Sequence, residues 1–382
     1  MSSDCVAPSG TTCSYVPPGT SRLVIDPDGD LTLKVGQMRC IKNTLPNGSD
    51  SEHCDPGSDH KHELPVIYTV CSRTLSRASR VWKALLYGGF AESKPCASAA
   101  SDWLVELPDD NPKAMATILN IIHSRFESIP RIKDPIDLED LYQLTVLTDK
   151  YDLTAILRPW ASSWMESAKE ELGNWRDQGI DSFIPHLARL SWIAWEMGDP
   201  FIYESVLEDL ARHCSVDING DLQHDTGNEI VTLFTSTLEP PGLHGGLKAA
   251  RLMYIEKAIG IYKDAIEMLI QPPDFRKPLV CVCTSGFNRE ETSKCEAAVL
   301  GAMIRSLAQS GCWPWPVSTN VRESFSSIWN VLRTIAIKSP VHSNCSGVNS
   351  RDQQIRACWI SAVILTSTVT ERMAKQAAKS GL

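Results

Sequence analysis

The sequence predicts an α+β fold, with a mixed module over residues 21–165 followed by a mostly α-helical region that runs to residue 382. Two observations carry this. In the first part, short strand patterns interleave with amphipathic helix patterns, in numbers too few for a doubly wound sheet. Beyond it, apolar residues recur at steps of three and four, the spacing of one helix face. The pair Pro272-Pro273 divides the helical part into residues 166–272 and 273–382. The 382 residues are 43% hydrophobic and include 11 Trp, enough for two or three domains with cores of their own, and this excludes a wholly disordered chain.

Residues 1–20 are rich in Ser, Thr, Pro and Gly and hold little apolar material to repay ordering, so they read as a disordered tail. Asp28-Gly29-Asp30 is a turn, and Leu31 to Gly36 alternates apolar and polar residues as a half-buried strand does. A polar insert over 43–62 precedes a second, more buried strand at Val66–Cys71. One helix is expected next, carrying Leu75, Ala78, Val81, Trp82, Leu85 and Leu86, with Gly88-Gly89 as its stop. Trp103 to Leu107 reads as a strand. Asp110-Asn111-Pro112 then opens a helix, with Pro at the first turn, where its missing N–H costs nothing. Asp137 caps a further helix bearing Leu138, Leu141, Leu144, Leu147 and Tyr151.

Downstream, Ile184 to Asp199 and Phe201 to His213 have the helix period. Leu252, Ile255, Ile259, Tyr262, Ile266 and Leu269 form a narrow seam shorter than three heptads, which predicts burial in a bundle over an independent coiled coil. Helices are also expected around Ala297–Gln309 and Arg322–Ile337. Trp160, Trp164, Trp175, Trp192 and Trp195 crowd together after the first module, as packing between helices and domains or as a partner groove.

The formal charge is −9, from 37 Lys+Arg against 46 Asp+Glu, and this disfavours a nucleic-acid partner, which requires clustered cations. The 13 Cys are scattered rather than framed, and no signal-peptide pattern opens the chain, which predicts an intracellular protein of the nucleus or cytoplasm. The apolar run Ala357–Leu365 is far shorter than the ~20 residues of a membrane helix, so no membrane association is expected.

Five blocks then occur in order: Asp30-Leu31-Thr32-Leu33-Lys34-Val35-Gly36; Tyr68-Thr69-Val70-Cys71-Ser72 before Leu75; Gly88-Gly89-Phe90-Ala91-Glu92-Ser93; Leu107-Pro108-Asp109-Asp110-Asn111-Pro112; and Leu144 to Asp152. Together they resemble a BTB/POZ domain of the fungal type. The chain departs from that pattern at Cys71, where many members have His, and in the polar insert. The resemblance implies a non-enzymatic protein–protein interaction module, a scaffold or adaptor that dimerises with itself or recruits partners. For some members the partner is a cullin of a ubiquitin ligase, and for others a transcriptional complex.

One constellation carries metal-ligand chemistry: Cys281, Cys283, Cys295, His342 and Cys345. Thiolates and imidazole are the ligands of closed tetrahedral zinc sites, and the Cys-x-Cys and His-x-x-Cys ends can each bite one ion. Two readings stand: a structural zinc on four of these five, or buried free thiols with a surface His. The stretch also resembles the carboxy-terminal extension of many fungal BTB proteins, through Leu300-Gly301 to Leu307 and Trp313-Pro314.

Catalytic motifs are not evident, and the expectation is that the chain is not an enzyme. Gly242 to Lys248 resembles a phosphate loop but has Leu247 where the second Gly belongs and Ala249 where Ser/Thr should hold magnesium, so a helix-entry loop is expected. His123, His186 and His213 lie in helical patterns and read as hydrogen-bonded residues. The functional alternatives are a cullin substrate adaptor, a transcription regulator lacking a visible DNA-binding element, and a metal-dependent enzyme whose site is assembled from distant residues.

Overall fold

The computed structural model describes residues 20–37, 39–40, 62–95, 102–129, 131, 134–225, 230–271, 289–335 and 365–382. The expected tail, polar insert and apolar run 357–364 lie outside these, apart from Thr20 and His62. The chain is a mixed α+β protein that divides into two compact units. The first holds the residues up to Asp134 together with Gln143–Ile156; the second holds Pro135–Tyr142 and Leu157–Leu382.

The first unit is built on a four-stranded sheet in the order β1-β5-β2-β6. Strand β2 (Leu31–Val35) lies at its centre, antiparallel to β5 (Val66–Val70) and parallel to β6 (Leu104–Leu107), so that Leu33 faces Tyr68 on one side and Val105 on the other. Strand β1 (Ser21–Val24) adds parallel to β5 at the edge. The short strands β3 (Arg39–Cys40) and β4 (His62–Glu63) pair antiparallel. The alternation in β2 decides its inner face: Leu31, Leu33 and Val35 are buried, while Thr32 and Lys34 are half-buried between them.

The helix expected around Leu75–Leu86 is two helices, α1 (Ser72–Ala78) and α2 (Arg80–Tyr87). Ser79 is the reason. Its extended backbone ends α1, its hydroxyl oxygen accepts from the amides of Val81 and Trp82 to start α2, and that hydroxyl donates to the Tyr151 carbonyl. Apolar periodicity continues across such a break, so it cannot reveal one. In α3 (Pro112–Ile122) Asn111 caps the amide of Ala114 and Pro112 fills the first turn, as expected. Asp137 caps α4 (Leu138–Lys150) through the amide of Glu139. Trp82 closes the core by stacking on Tyr151, centroids 4.6 Å apart.

The second unit is mainly helical: α5 (Arg158–Gln178), α6 (Ile184–Met197), α7 (Pro200–His213), α8 (Leu243–Ile270), α9 (Arg289–Gln309), α10 (Phe325–Thr334) and α11 (Ser367–Ser380). A small antiparallel sheet, β7 (Ser215–Val216), β8 (Leu222–Asp225) and β9 (Ile230–Thr232), interrupts them. Helix α8 buries Ile255, Ile259, Tyr262, Ile266 and Leu269 within this unit, the bundle outcome for the seam, and it starts at Leu243, so the expected entry loop is largely its first turns. All five clustered tryptophans are buried in helices of this unit; Trp160 stacks on Trp164 and Trp175 on Phe183. They form core rather than an open groove.

Candidate interaction surface

At the rim of the first unit's sheet, β1 is exposed along all four residues, with Leu23 46% and Val24 55% accessible. Strand β1 stays in place because the next residues turn inward: Ile25 is buried, and the amides of Ile25 and Asp26 both donate to the Thr69 carbonyl. Its inner edge pairs with β5, and among the described residues no strand pairs with its outer edge. Arg125 closes the end of the strand, its guanidinium donating to the Val24 carbonyl at 2.7 Å and to that of Ile25 at 3.4 Å. Phe126 beside it is exposed as well. An open strand edge carrying large apolar side chains is a template for another chain.

Polar ties join the elements of this unit behind that edge. Asp30 accepts from the Ser72 amide and hydroxyl, each at 2.9 Å, and from Lys94 at 3.2 Å, and the Ser72 hydroxyl meets the Tyr87 phenol at 2.6 Å. Burial opposes ionisation of Asp30, but the Ser72 donors and Lys94 outweigh it and hold its carboxyl below the usual range. Asp110, itself buried, accepts from Lys150 and from the Tyr151 hydroxyl. Burial first, and then the Asp110 carboxylate, keep the Tyr151 phenol protonated. His123 receives the Cys71 amide on Nε2 at 3.1 Å and bonds the Leu119 carbonyl through Nδ1, a hydrogen-bonded helix end as expected. The sequence blocks contain Asp30, Ser72, Asp110, Lys150 and Tyr151, but nothing in their spacing reveals that Asp110 meets Lys150 and Tyr151 across 40 residues of chain.

In the second unit one cluster has the residue types of a nucleophilic relay. The Asp181 carboxylate lies 2.6 Å from Nδ1 of His213, and the Ser326 hydroxyl is near the same ring. That hydroxyl is 3.3 Å from Nδ1 and 3.4 Å from Nε2. It therefore sits between the two nitrogens, not at Nε2 opposite the carboxylate, where a relay would need it. The geometry is that of a tie between the end of α7, the turn at Ile180–Phe183 and the start of α10. Adjacent Cys214 is fully buried and its thiol is pushed up to about 12, far from the thiolate a nucleophile requires. A second buried tie joins Glu196 to Gln376, whose amide donates to the Glu196 carboxylate at 2.7 Å and to its carbonyl at 3.0 Å.

Of the five metal-ligand candidates, Cys295 is a buried residue of α9. Cys281, Cys283, His342 and Cys345 lie outside the described residues. Among the described residues no group of three or more His, Cys, Asp or Glu is placed to hold a metal ion. No helix among them is long and apolar enough to cross a membrane. Comparison with known proteins found no family model, no curated protein and no solved structure that matches the chain.

Proposed function

We propose that the chain is a protein–protein interaction protein whose first unit is a BTB/POZ-type module that pairs with a second copy of itself through β1. What supports the family reading is placement: the five sequence blocks fall in order on β2, on β5 leading into α1, on the turn after α2, on β6 leading into α3, and on α4. The observation that carries the interaction reading is the open, apolar edge of β1, with Leu23 and Val24 held outward by a buried residue on the next step of the chain. A second copy of the strand would pair with the outer-edge backbone groups that no described strand meets, apart from the Val24 carbonyl held by Arg125, and would cover Leu23 and Val24. A stable pair would need a total buried area of about 1,200–2,000 Å², of which the strand is the centre.

Light scattering on the full chain at micromolar concentration tests this. The expected result is a dimer for the wild type and a monomer, with unchanged far-UV circular dichroism, for the Leu23→Lys/Val24→Lys double variant. A wild-type protein that stays monomeric overturns the proposal, as does a double variant that dimerises as tightly as the parent.

A further inference from the structure

The second unit contains a half-open cavity of about 470 Å³ between α7, the first turns of α8 and the start of α11. Leu207, Leu243, Met253 and Val369 wall it, and Gly246 leaves it open at the side of α8, where an added Cβ would meet nothing within 4 Å. Among the described residues that line it, none carries a charge. Its volume falls within the roughly 300–1,000 Å³ of small-molecule sites, which are apolar with a few placed polar groups.

One such group is present. Tyr203 lines the cavity and is only 2% exposed, its ring set against Trp195 at 5.9 Å between centroids. Yet among the described residues its hydroxyl has no hydrogen-bond partner. The hydroxyls of Thr366 and Thr368, on the same cavity, are engaged with each other at 2.9 Å, and Thr366 also caps the Val369 amide. A ligand that accepts from this hydroxyl would gain a directed hydrogen bond inside a largely apolar site.

We propose that this cavity binds a neutral, largely apolar small molecule that presents a carbonyl, ether or hydroxyl oxygen to the Tyr203 hydroxyl. The sign of the ligand's charge follows from the surroundings. Burial, and then the negative charge of Glu239, keep the phenol protonated and therefore a donor. With no cation among the described residues that line the cavity, a carboxylate or phosphate would be desolvated without compensation. The inference is independent of dimerisation through β1.

Nile red, a neutral fluorophore bearing a carbonyl acceptor, is the probe, titrated into the full chain with 1-decanol and decanoate as competitors at pH 8. Saturable binding at one site is expected, displaced by decanol and at least tenfold less well by decanoate. Tyr203→Phe should weaken binding about fivefold, the effect of one hydrogen bond. Gly246→Leu, which fills the space and suits a helix better than glycine, should reduce it at least twentyfold without lowering the thermal midpoint. Non-saturable uptake, equal competition by decanoate, or unchanged affinity in either variant would overturn the proposal.

Discussion

Gly36 in the first unit and Gly198 in the second share the left-handed backbone region, φ +79° and +80°, but they stand under different neighbours. Gly36 ends β2, and a Cβ there would come 2.9 Å from Cγ of Pro112, a ring atom. Gly198 follows α6, and a Cβ there would lie 2.2 Å from the backbone nitrogen of Ala377 and 2.6 Å from the carbonyl oxygen of Met373, both in α11. A proline ring can shift by a few tenths of an ångström, whereas a helix backbone cannot yield without leaving its seat. The same contrast runs through the two interiors. In the sheet unit the buried tie from Ser79 to the Tyr151 carbonyl spans 72 residues, while α6 in the helical unit is closed by a helix about 180 residues away, through Gln376 on Glu196 and Ser380 on the Met197 carbonyl.

The sharpest way to break the sheet unit is Leu33→Asp, which puts an unpaired charge at a fully buried position between Tyr68 and Val105. The expected loss exceeds about 4 kcal/mol and shows as insoluble expression. A soluble variant with wild-type circular dichroism would mean that this face of β2 is not the core. Next in size, Gly198→Ala should destabilise the helical unit by about 2–4 kcal/mol, because left-handed backbone strain adds to the collision with α11. It should also speed proteolysis within Ser367–Ser380; equal cleavage rates for parent and variant would show that the close approach is not what seats that helix.

The smallest effect separates the two units by pH. His224 in β8 and His186 in α6 have their pKa values lowered from 6.5, mainly by burial, against the pull of Asp181 and Asp225 on His224 and of Glu139 and Asp137 on His186. The unfolded chain then takes up protons before the folded one does. Their contribution is complete above pH 6.5 and falls away as the pH drops from there toward the folded values. In the sheet unit, Asp30 is lowered from 3.8, so its contribution is lost only below that pH. Chemical denaturation at pH 7 and pH 5 should therefore show lower stability at pH 5, with His224→Gln flattening the difference. An unchanged slope in that variant would remove His224 as a cause.

Residues with a strong local signal were readable in advance. The alternation at Leu31–Val35, the Asn111-Pro112 cap, the Asp137 cap and the helix periods of α6, α7 and α8 all correspond to elements of the fold. Strand β1, the pair β3 and β4, the small sheet β7 to β9 and helix α11 were not foreseen. Each is short, or, in α11, buries only Met373, Gln376 and Ser380, too few to make an apolar stripe. The open edge of β1 escaped for the same reason: four residues without alternation acquire meaning only once β5 lies beside them. Tyr203 was one aromatic in a helix pattern, and nothing near it in the chain says that it would line a cavity.

What the sequence by itself determined is therefore the mixed first module, the helical remainder, and the caps and inner faces of the longer elements. These depend on interactions within one turn or between neighbouring strand positions, which composition and period record. Only the tertiary structure decided which buried acid meets which donor, which strand is left at the rim, and which tyrosine lines a cavity. Those outcomes depend on residues tens to nearly two hundred positions apart meeting in three dimensions, and no local pattern encodes that distance.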